Sequence, residues 1–283
     1  MRLEMIGEGL NILQKKGFRG LISLTVNHFL IRVFGIRLTR DSSIARNPVA
    51  KKIFSKCKLD YSKEGFYFLS PMPSVQELND YYSSIYWERG EGKNYVANLR
   101  DIVHFKILEE FIPQHLNQGK VFLNFGAGHG GISSLFWLKG MKIVNVEPSL
   151  LPQFYTERWK MVKAISKVED NSVDVIYGSH SLEHVQDIES FKAEISRILK
   201  PNGFIFWEVP NANCPGTGPL EGKVRVPHTY YFETKFFEKW FSKRLICSGY
   251  EQSHARENGY VIQDWQKFKN EKGDVIRVLG QID

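Results

Sequence analysis

The sequence predicts an α/β protein built on a parallel sheet with helices on both faces, and three observations carry that prediction. Residues 121–125 form an apolar run broken only by Asn124, followed by a glycine cluster through Gly131 and an apolar helical stretch to Leu138. Such a unit is a buried strand, a tight turn and a helix whose first amides face a ligand. Further apolar strands are expected at 142–146, 161–165, 173–177 and 203–209, each followed by a helix or turn, the alternation of a parallel sheet wound on both faces. Finally, the chemistry-bearing residues Gly126–Gly130, Glu147, Ser179–His184 and Pro210–Asn213 all fall just past predicted strand ends, where ligands bind in such sheets.

In chain order, residues 1–40 mix basic and apolar side chains, with Asn27, His28 and Arg32 interrupting the apolar stretch. That stretch is too short to span a bilayer, and it lacks the uninterrupted apolar region and small-residue cleavage site of a signal peptide. It reads either as a basic amphipathic helix on an anionic membrane face or as a helical cap that packs on the core or on a second subunit of a homodimer; the cap is preferred. Residues 65–73 form a short aromatic strand stopped by Pro71 and Pro73. Ser74 with Glu77 is a capping box opening a helix to about Tyr82. Tyr81, Tyr82, Tyr86 and Trp87 crowd the region before Gly90, to close over a ligand or to pack the cap. A longer helix is expected over 95–112, with Ile102, Phe105, Leu108 and Phe111 as its buried stripe and His104 at its surface or boundary. A turn and a helix are expected over 148–160. Residues 187–199 are an amphipathic helix, and Lys200-Pro-Asn-Gly203 is a turn. Beyond Pro210, the glycine- and proline-rich segment with Lys223 and Arg225 reads as a lid insertion over 211–233, its cations suited to an acidic group on an acceptor. Residues 234–243 are an amphipathic helix, 261–272 carry no clear signal, and 274–281 are a last strand. The organisation is thus a basic appendage at 1–52, a cap segment at 53–112 and a ligand-binding core at 113–283.

Charge divides the same way. Of the net +7, residues 1–52 hold ten Lys or Arg against three acids, and the remainder balances at 28 basic and 28 acidic residues. A neutral body argues against nucleic acid as a partner. Cys57, Cys214 and Cys247 are far apart and form no paired motif, so neither a disulfide framework nor a metal is expected, and a reducing, cytoplasmic location fits, peripheral at the inner membrane face if the appendage binds lipid.

The glycines leave two cofactors open. Gly126, Gly128 and Gly131 satisfy the dinucleotide fingerprint of nicotinamide enzymes, while Gly126, Gly128 and Gly130 satisfy the turn of S-adenosylmethionine-dependent methyltransferases. In either case Glu147, at the tip of the second strand, is placed to accept both ribose hydroxyls. Five segments taken together separate the two: Asn124-Phe-Gly-Ala-Gly-His-Gly130, Val146-Glu-Pro-Ser149, Asp170-Asn-Ser-Val-Asp174, Ser181-Leu-Glu-His184 and Leu199-Lys-Pro-Asn-Gly203. In order and spacing they resemble class I S-adenosylmethionine-dependent methyltransferases. Pro210-Asn211, Pro227-His-Thr-Tyr-Tyr-Phe232 and a following helix ending near Gly249-Tyr250 resemble the branch that methylates sugars and other small molecules, often for surface polysaccharide or antibiotic biosynthesis. The resemblance covers roughly residue 66 onward and implies a Rossmann-like, seven-stranded, mostly parallel sheet with its last strand antiparallel and a helical cap before it.

It also implies S-adenosyl-L-methionine as cofactor, with Asn124, Gly126, Gly128 and Gly130 around its methionine and ribose, Glu147 on the ribose hydroxyls and Ile165 near the adenine; Ser179 joins this set at the fourth strand's end. Asn124 departs from the family's usual Asp and lacks the charge that would favour the sulfonium-bearing portion, which motivates a second reading, a catalytically silent scaffold of the same fold. A hydroxyl or carbon acceptor usually needs a general base. His180, His184 and His228 fall near the site and could titrate near neutrality; His228, followed by Tyr230 and Tyr231, is the first choice for catalysis, with His180 and Tyr230 beside it, while His184 anchors its loop. The expected partner is a small-molecule acceptor, such as a nucleotide- or lipid-linked sugar.

Overall fold

The computed structural model describes residues 48–84, 97–148, 158–214, 226–249 and 275–283, with Pro219, Val224 and Gly273. The basic residues of the appendage up to Arg46, the rings of Tyr86 and Trp87, the cations Lys223 and Arg225, most of 148–160 and all of 261–272 lie outside the described residues. The chain divides into two compact units, Met1–Ser42 and Ser43–Asp283. Helix α1 (Pro48–Phe54) packs Ala50, Ile53 and Phe54 against Leu69, Leu78 and Tyr81 of the following segment.

That segment begins with a hairpin, β1 (Lys58–Ser62) and β2 (Phe66–Ser70). Strand β1 escaped the sequence reading because its alternation is almost wholly exposed. Helix α2 (Val75–Ser84) opens on the expected capping box, with Glu77 accepting from the Ser74 amide at 2.8 Å. Helix α3 (Leu99–Phe111) has a second one, formed by Asn98 and Asp101. Its buried face is rotated from the expected stripe: Val103, His104, Ile107 and Leu108 point inward. Counting only apolar residues concealed this, because His104 is drawn inside by polar partners on the sheet.

The main sheet comprises β3 (Val121–Phe125), β4 (Lys142–Val146), β5 (Lys160–Val162), β6 (Val173–Ser179), β7 (Leu199–Pro210), β9 (Lys243–Gly249) and β10 (Val275–Gln281). Their order is β5-β4-β3-β6-β7-β10-β9, and β10 runs antiparallel to both its neighbours. A seventh strand reversed within a parallel sheet is the architecture expected from the sequence. Between β7 and α6 (Thr234–Trp240), β8 (Tyr230–Phe232) leaves this sheet and pairs with β2 to make a three-stranded one. Part of the expected lid is thus a buried strand.

Successive residues of each strand face opposite sides of the sheet, and two cores result. Phe122, Val175, Tyr177, Phe206 and Leu279 pack against α3 and α4 (Gly131–Leu138) on one face. Leu123, Ile176, Ile205, Trp207 and Val278 pack against α5 (Ile188–Ile198) and α6 on the other.

Three local expectations need correction. The third strand ends at Val162, and Ile165 begins a short 3-10 turn instead. The turn at 200–203 lies within β7: pairing with β6 jumps from Val173↔Leu199 to Val175↔Phe204, so four residues loop out opposite Asp174. The last helix stops at Trp240, and the chain continues as β9, because β10 offers it a full antiparallel edge.

Candidate active site

The strand order reverses between β3 and β6, which both open at the same sheet edge. Past β3, the amides of Gly126 and Ala127 donate to the Val146 carbonyl at 2.9 and 3.1 Å, folding the turn back over β4. Gly126, Gly128 and Gly130 all have positive φ, at 67°, 50° and 67°. At Gly126 a side chain is excluded twice over, since a Cβ would also lie 2.2 Å from the Ser181 hydroxyl oxygen. Gly130 caps α4, leaving its first amides toward the turn. Glu147 is buried against this turn, with Oε2 accepting from the Gly128 amide at 3.0 Å. A cradle of bare backbone with a carboxylate at its side suits a nucleoside bearing a small charged tail.

Asn124 is not part of that cradle. It is buried, and its amide donates to Ser133 Oγ at 2.9 Å, which in turn donates to Asn145 Oδ1 at 2.7 Å. Parallel pairing places Asn124 beside Asn145. The triad stitches β3, α4 and β4 together behind the site. Asn124 thus faces Ser133 and is not among the residues that line the cavity.

Past β6 the chain turns sharply. His180 has a positive φ of 52°, uncommon for a residue with a side chain, and is fixed by its amide bond to the Glu208 carbonyl at 2.9 Å. Glu208 is fully buried on β7 and accepts from Arg277 Nε at 2.7 Å and Ser179 Oγ at 3.0 Å. His104 Nε2 lies 2.9 Å from the same carboxylate, and His104 Nδ1 lies 2.8 Å from the Tyr177 hydroxyl. Burial alone would push Glu208 up, but His104 and Arg277 hold it well below the ordinary carboxylate range. Burial lowers His104. A neutral His104 donating from Nε2 to Glu208 and accepting a hydrogen bond from the Tyr177 hydroxyl at Nδ1 satisfies both of these partners. The expected surface histidine is therefore the centre of a buried polar chain behind the site.

Burial disfavours a charge on His180, yet Glu183 at 3.5 Å and Glu208 at 3.4 Å outweigh it and raise His180 to about 10. Burial would raise Glu183 too, but His180 and His184 bring it down to about 2. Burial, reinforced by neighbouring His184, pushes His228 down to about 3, and burial also lowers His184. His180 and His228 are thus moved well away from neutrality in opposite directions, contrary to the expectation from residue type. His180 is an imidazolium between two carboxylates, and His228 is neutral.

One cavity of about 1260 Å³ joins these parts. Its floor is Phe125–Gly131 and Glu147, one side is Lys163 and Ala164, and the other is Ser179–Ser181, Glu183, His184 and His228. The α2 and α3 ends supply Gln76, Asn79, Tyr82, Asn98 and Arg100. Of the residues anticipated from sequence, Gly126, Gly128, Gly130, Glu147, Ser179, His180 and His228 line it, and Asn124, Ile165 and Tyr230 do not. Ile165 packs against the core while Lys163 and Ala164 face the space. Tyr230 is buried, its hydroxyl donating to the Gln186 carbonyl at 3.2 Å and accepting from the Ile188 amide at 3.2 Å, which pins the start of α5. Sequence reasoning missed Glu183 and Glu208 as site residues, Glu208 because it lies within an apolar strand.

Sheet order, glycine cradle and the carboxylate beside it together define a class I S-adenosylmethionine-dependent methyltransferase. Residues 95–270, more than half of the chain, match the family model described as a methyltransferase domain, and the chain belongs to that family. S-adenosyl-L-methionine is accordingly its cofactor, and the Gly126–Gly130 cradle with Glu147 fits it. Among curated proteins, phosphoethanolamine N-methyltransferase 1 of Triticum aestivum is 33% identical over 88 residues, covering 30% of this chain and 16% of its own length. The chain thus spans about a sixth of that relative. A SAM dependent methyltransferase from Archaeoglobus fulgidus superposes with a TM-score of 0.43 at 16% identity, covering 64% of this chain and 93% of that one. One from Aquifex aeolicus gives 0.35 at 15% identity, covering 46% and 77%. Among the described residues, no helix is long and apolar enough to cross a membrane.

Proposed function

We propose that this chain transfers a methyl group from S-adenosyl-L-methionine to an oxygen of a small, polar acceptor. The observation that supports this reading best is the continuous cavity running from the Gly126–Gly130 cradle and Glu147 to the Glu183, His184 and His228 cluster. When bound, S-adenosylmethionine supplies an electrophilic methyl group on a sulfonium. In this reading Gly126, Gly128 and Gly130 offer backbone to its methionine and ribose, Glu147 accepts the ribose hydroxyls, and Ala164 takes the adenine side in place of Ile165. Ser179 bounds the same end, its hydroxyl committed to Glu208.

The acceptor then occupies the histidine end. His180, locked as an imidazolium between Glu183 and Glu208, orients and donates rather than taking a proton. His228 is neutral, and its buried Nδ1 has no hydrogen-bond partner among the described residues, so it can accept a hydrogen bond from an incoming hydroxyl. Tyr82, Gln76, Asn79, Asn98 and Arg100 give the acceptor several hydrogen-bonding groups, a lining suited to the sugar or glycan precursor implied by the sequence resemblance. A methyl displacement needs alignment and exclusion of water, which the walls formed by α2 and the His228 segment serve.

A second reading, N-methylation of a small amine, takes its support from the name of the wheat relative. Incubation with methyl-labelled cofactor separates the two. Label in nucleotide-sugar or phenolic hydroxyls supports O-methylation; label in phosphoethanolamine, with none in the hydroxylic panel, replaces it. Tight cofactor binding with no transfer to any acceptor would favour the silent scaffold.

A further inference from the structure

Two segments far apart in sequence meet at the acceptor end of the cavity. Thr229 ties them together, its amide donating to the Glu183 carbonyl at 2.9 Å and its hydroxyl lying 2.8 Å from that carbonyl and 2.6 Å from the Val185 carbonyl. The clamp brings one ligand atom each of Glu183, His184 and His228 within 4.8 Å of one another. The rings of His184 and His228 meet edge to face at 4.9 Å. The carboxylate of Glu183 is 1% exposed, and neither oxygen has a hydrogen-bond partner among the described residues. The nearest group, His180 Nδ1, stands 3.5 Å from Oε1. His228 Nδ1 is likewise buried without a hydrogen bond. Buried polar atoms of this kind are normally satisfied, and here Glu183 and His228 leave such atoms beside the His184 ring.

His184 is already oriented as a ligand would be. Its Nδ1 lies 2.6 Å from the Tyr82 hydroxyl and its Nε2 lies 4.0 Å from Glu183 Oε1, while the ring also hydrogen-bonds the Pro227 backbone. A metal-bound imidazole held at its other nitrogen by an outer partner is the usual arrangement. Metal–nitrogen bonds of about 2.1 Å set neighbouring ligand atoms about 3 to 3.5 Å apart, so a cation would draw the trio in by about 1 Å.

We propose that Glu183, His184 and His228 form a binding site for one divalent transition-metal cation whose remaining positions face the cavity. Two imidazoles and one carboxylate select ions of the Mn²⁺ to Zn²⁺ series over Mg²⁺ or Ca²⁺, which favour oxygen. The role of the site rests on the methyl-transfer reading above. An acceptor hydroxyl coordinated there loses its proton to water at lower pH than it otherwise would. The oxygen lone pair then forms the C–O bond as the S–CH₃ bond breaks, and that bond's electron pair stays on sulfur to give neutral S-adenosylhomocysteine.

The test is titration of Co²⁺ alone into the chelator-stripped full chain, followed by optical and X-ray absorption spectra. One equivalent bound with imidazole nitrogen in its shell is expected, lost in His228→Ala and in Glu183→Gln. Tyr82→Phe leaves all three ligands in place and should weaken binding by about tenfold or more, so the proposal stays testable should the ligand variants misfold. No Co²⁺ uptake by the wild-type chain overturns it, as does a bound ion lacking imidazole or uptake unchanged in all three variants. S-adenosylmethionine titrated separately into the same proteins keeps the two readings apart. Co²⁺ bound without cofactor leaves the metal site standing and removes the methyl-transfer role; the reverse removes the metal site alone.

Discussion

At Glu208 a full negative charge is held inside the protein by Arg277, Ser179, His104 and His180. Removing one partner of a buried pair leaves the other charge uncompensated. Glu208→Gln should therefore cost about 3–5 kcal/mol in urea unfolding, and a loss within the range of an ordinary surface substitution would contradict the assignment of Glu208 as an anion. The same residue fixes His180 in its left-handed backbone conformation, so strain at the cavity mouth is supported from the strand behind it. Asn124 gives a second residue-level prediction. Asn124→Asp would oppose a carboxylate to Ser133 Oγ, whose own proton is committed to Asn145. A loss of about 1–3 kcal/mol is expected, with no gain in cofactor affinity; tighter cofactor binding in that variant would return Asn124 to the site.

Among the elements, the turn after β3 is the one whose geometry the sequence announces most directly. Gly126→Ala should abolish cofactor binding while leaving the fold intact by circular dichroism, because the added methyl meets Ser181 in a conformation that alanine also resists. Asp174 sits opposite the looped residues 200–203 and joins three strands: it accepts from the Val121 amide at 2.8 Å and from Lys200 and Lys120 at 2.7 and 3.1 Å. Burial would raise its pKa, but Lys200, the Val121 amide and Lys120 hold it below the usual range. Its stabilisation is thus complete above the unfolded-state value of about 4 and is lost as pH falls through the lower folded value. Asp174→Asn should be less stable than wild type by about 1–2 kcal/mol at pH 7, and the difference should shrink below about pH 4; a difference independent of pH would rule out the ionised form.

For the whole molecule, apolar runs, capping boxes and glycine turns made the sheet and its switch point legible, since each acts within a few residues of itself. What escaped acts across the fold. His104 was assigned to the surface because helical periodicity counts apolar residues, whereas Glu208 and Tyr177 draw it inward from other elements. The 4.8 Å grouping of Glu183, His184 and His228 has no local spacing to reveal it, since β8 must first join the small sheet and the Thr229 clamp must close. The histidine charges were misjudged for the same reason: they depend on burial and on carboxylates supplied by β7 and by residues 182–184. Calorimetric titration of S-adenosylmethionine, and separately of NAD, into the wild-type chain and Glu147→Ala decides the matter. Micromolar binding of the first alone, weakened by at least about tenfold in the variant, is expected for a carboxylate that holds the ribose. Binding of NAD instead, or cofactor affinity untouched by loss of Glu147, would contradict the cradle assigned here.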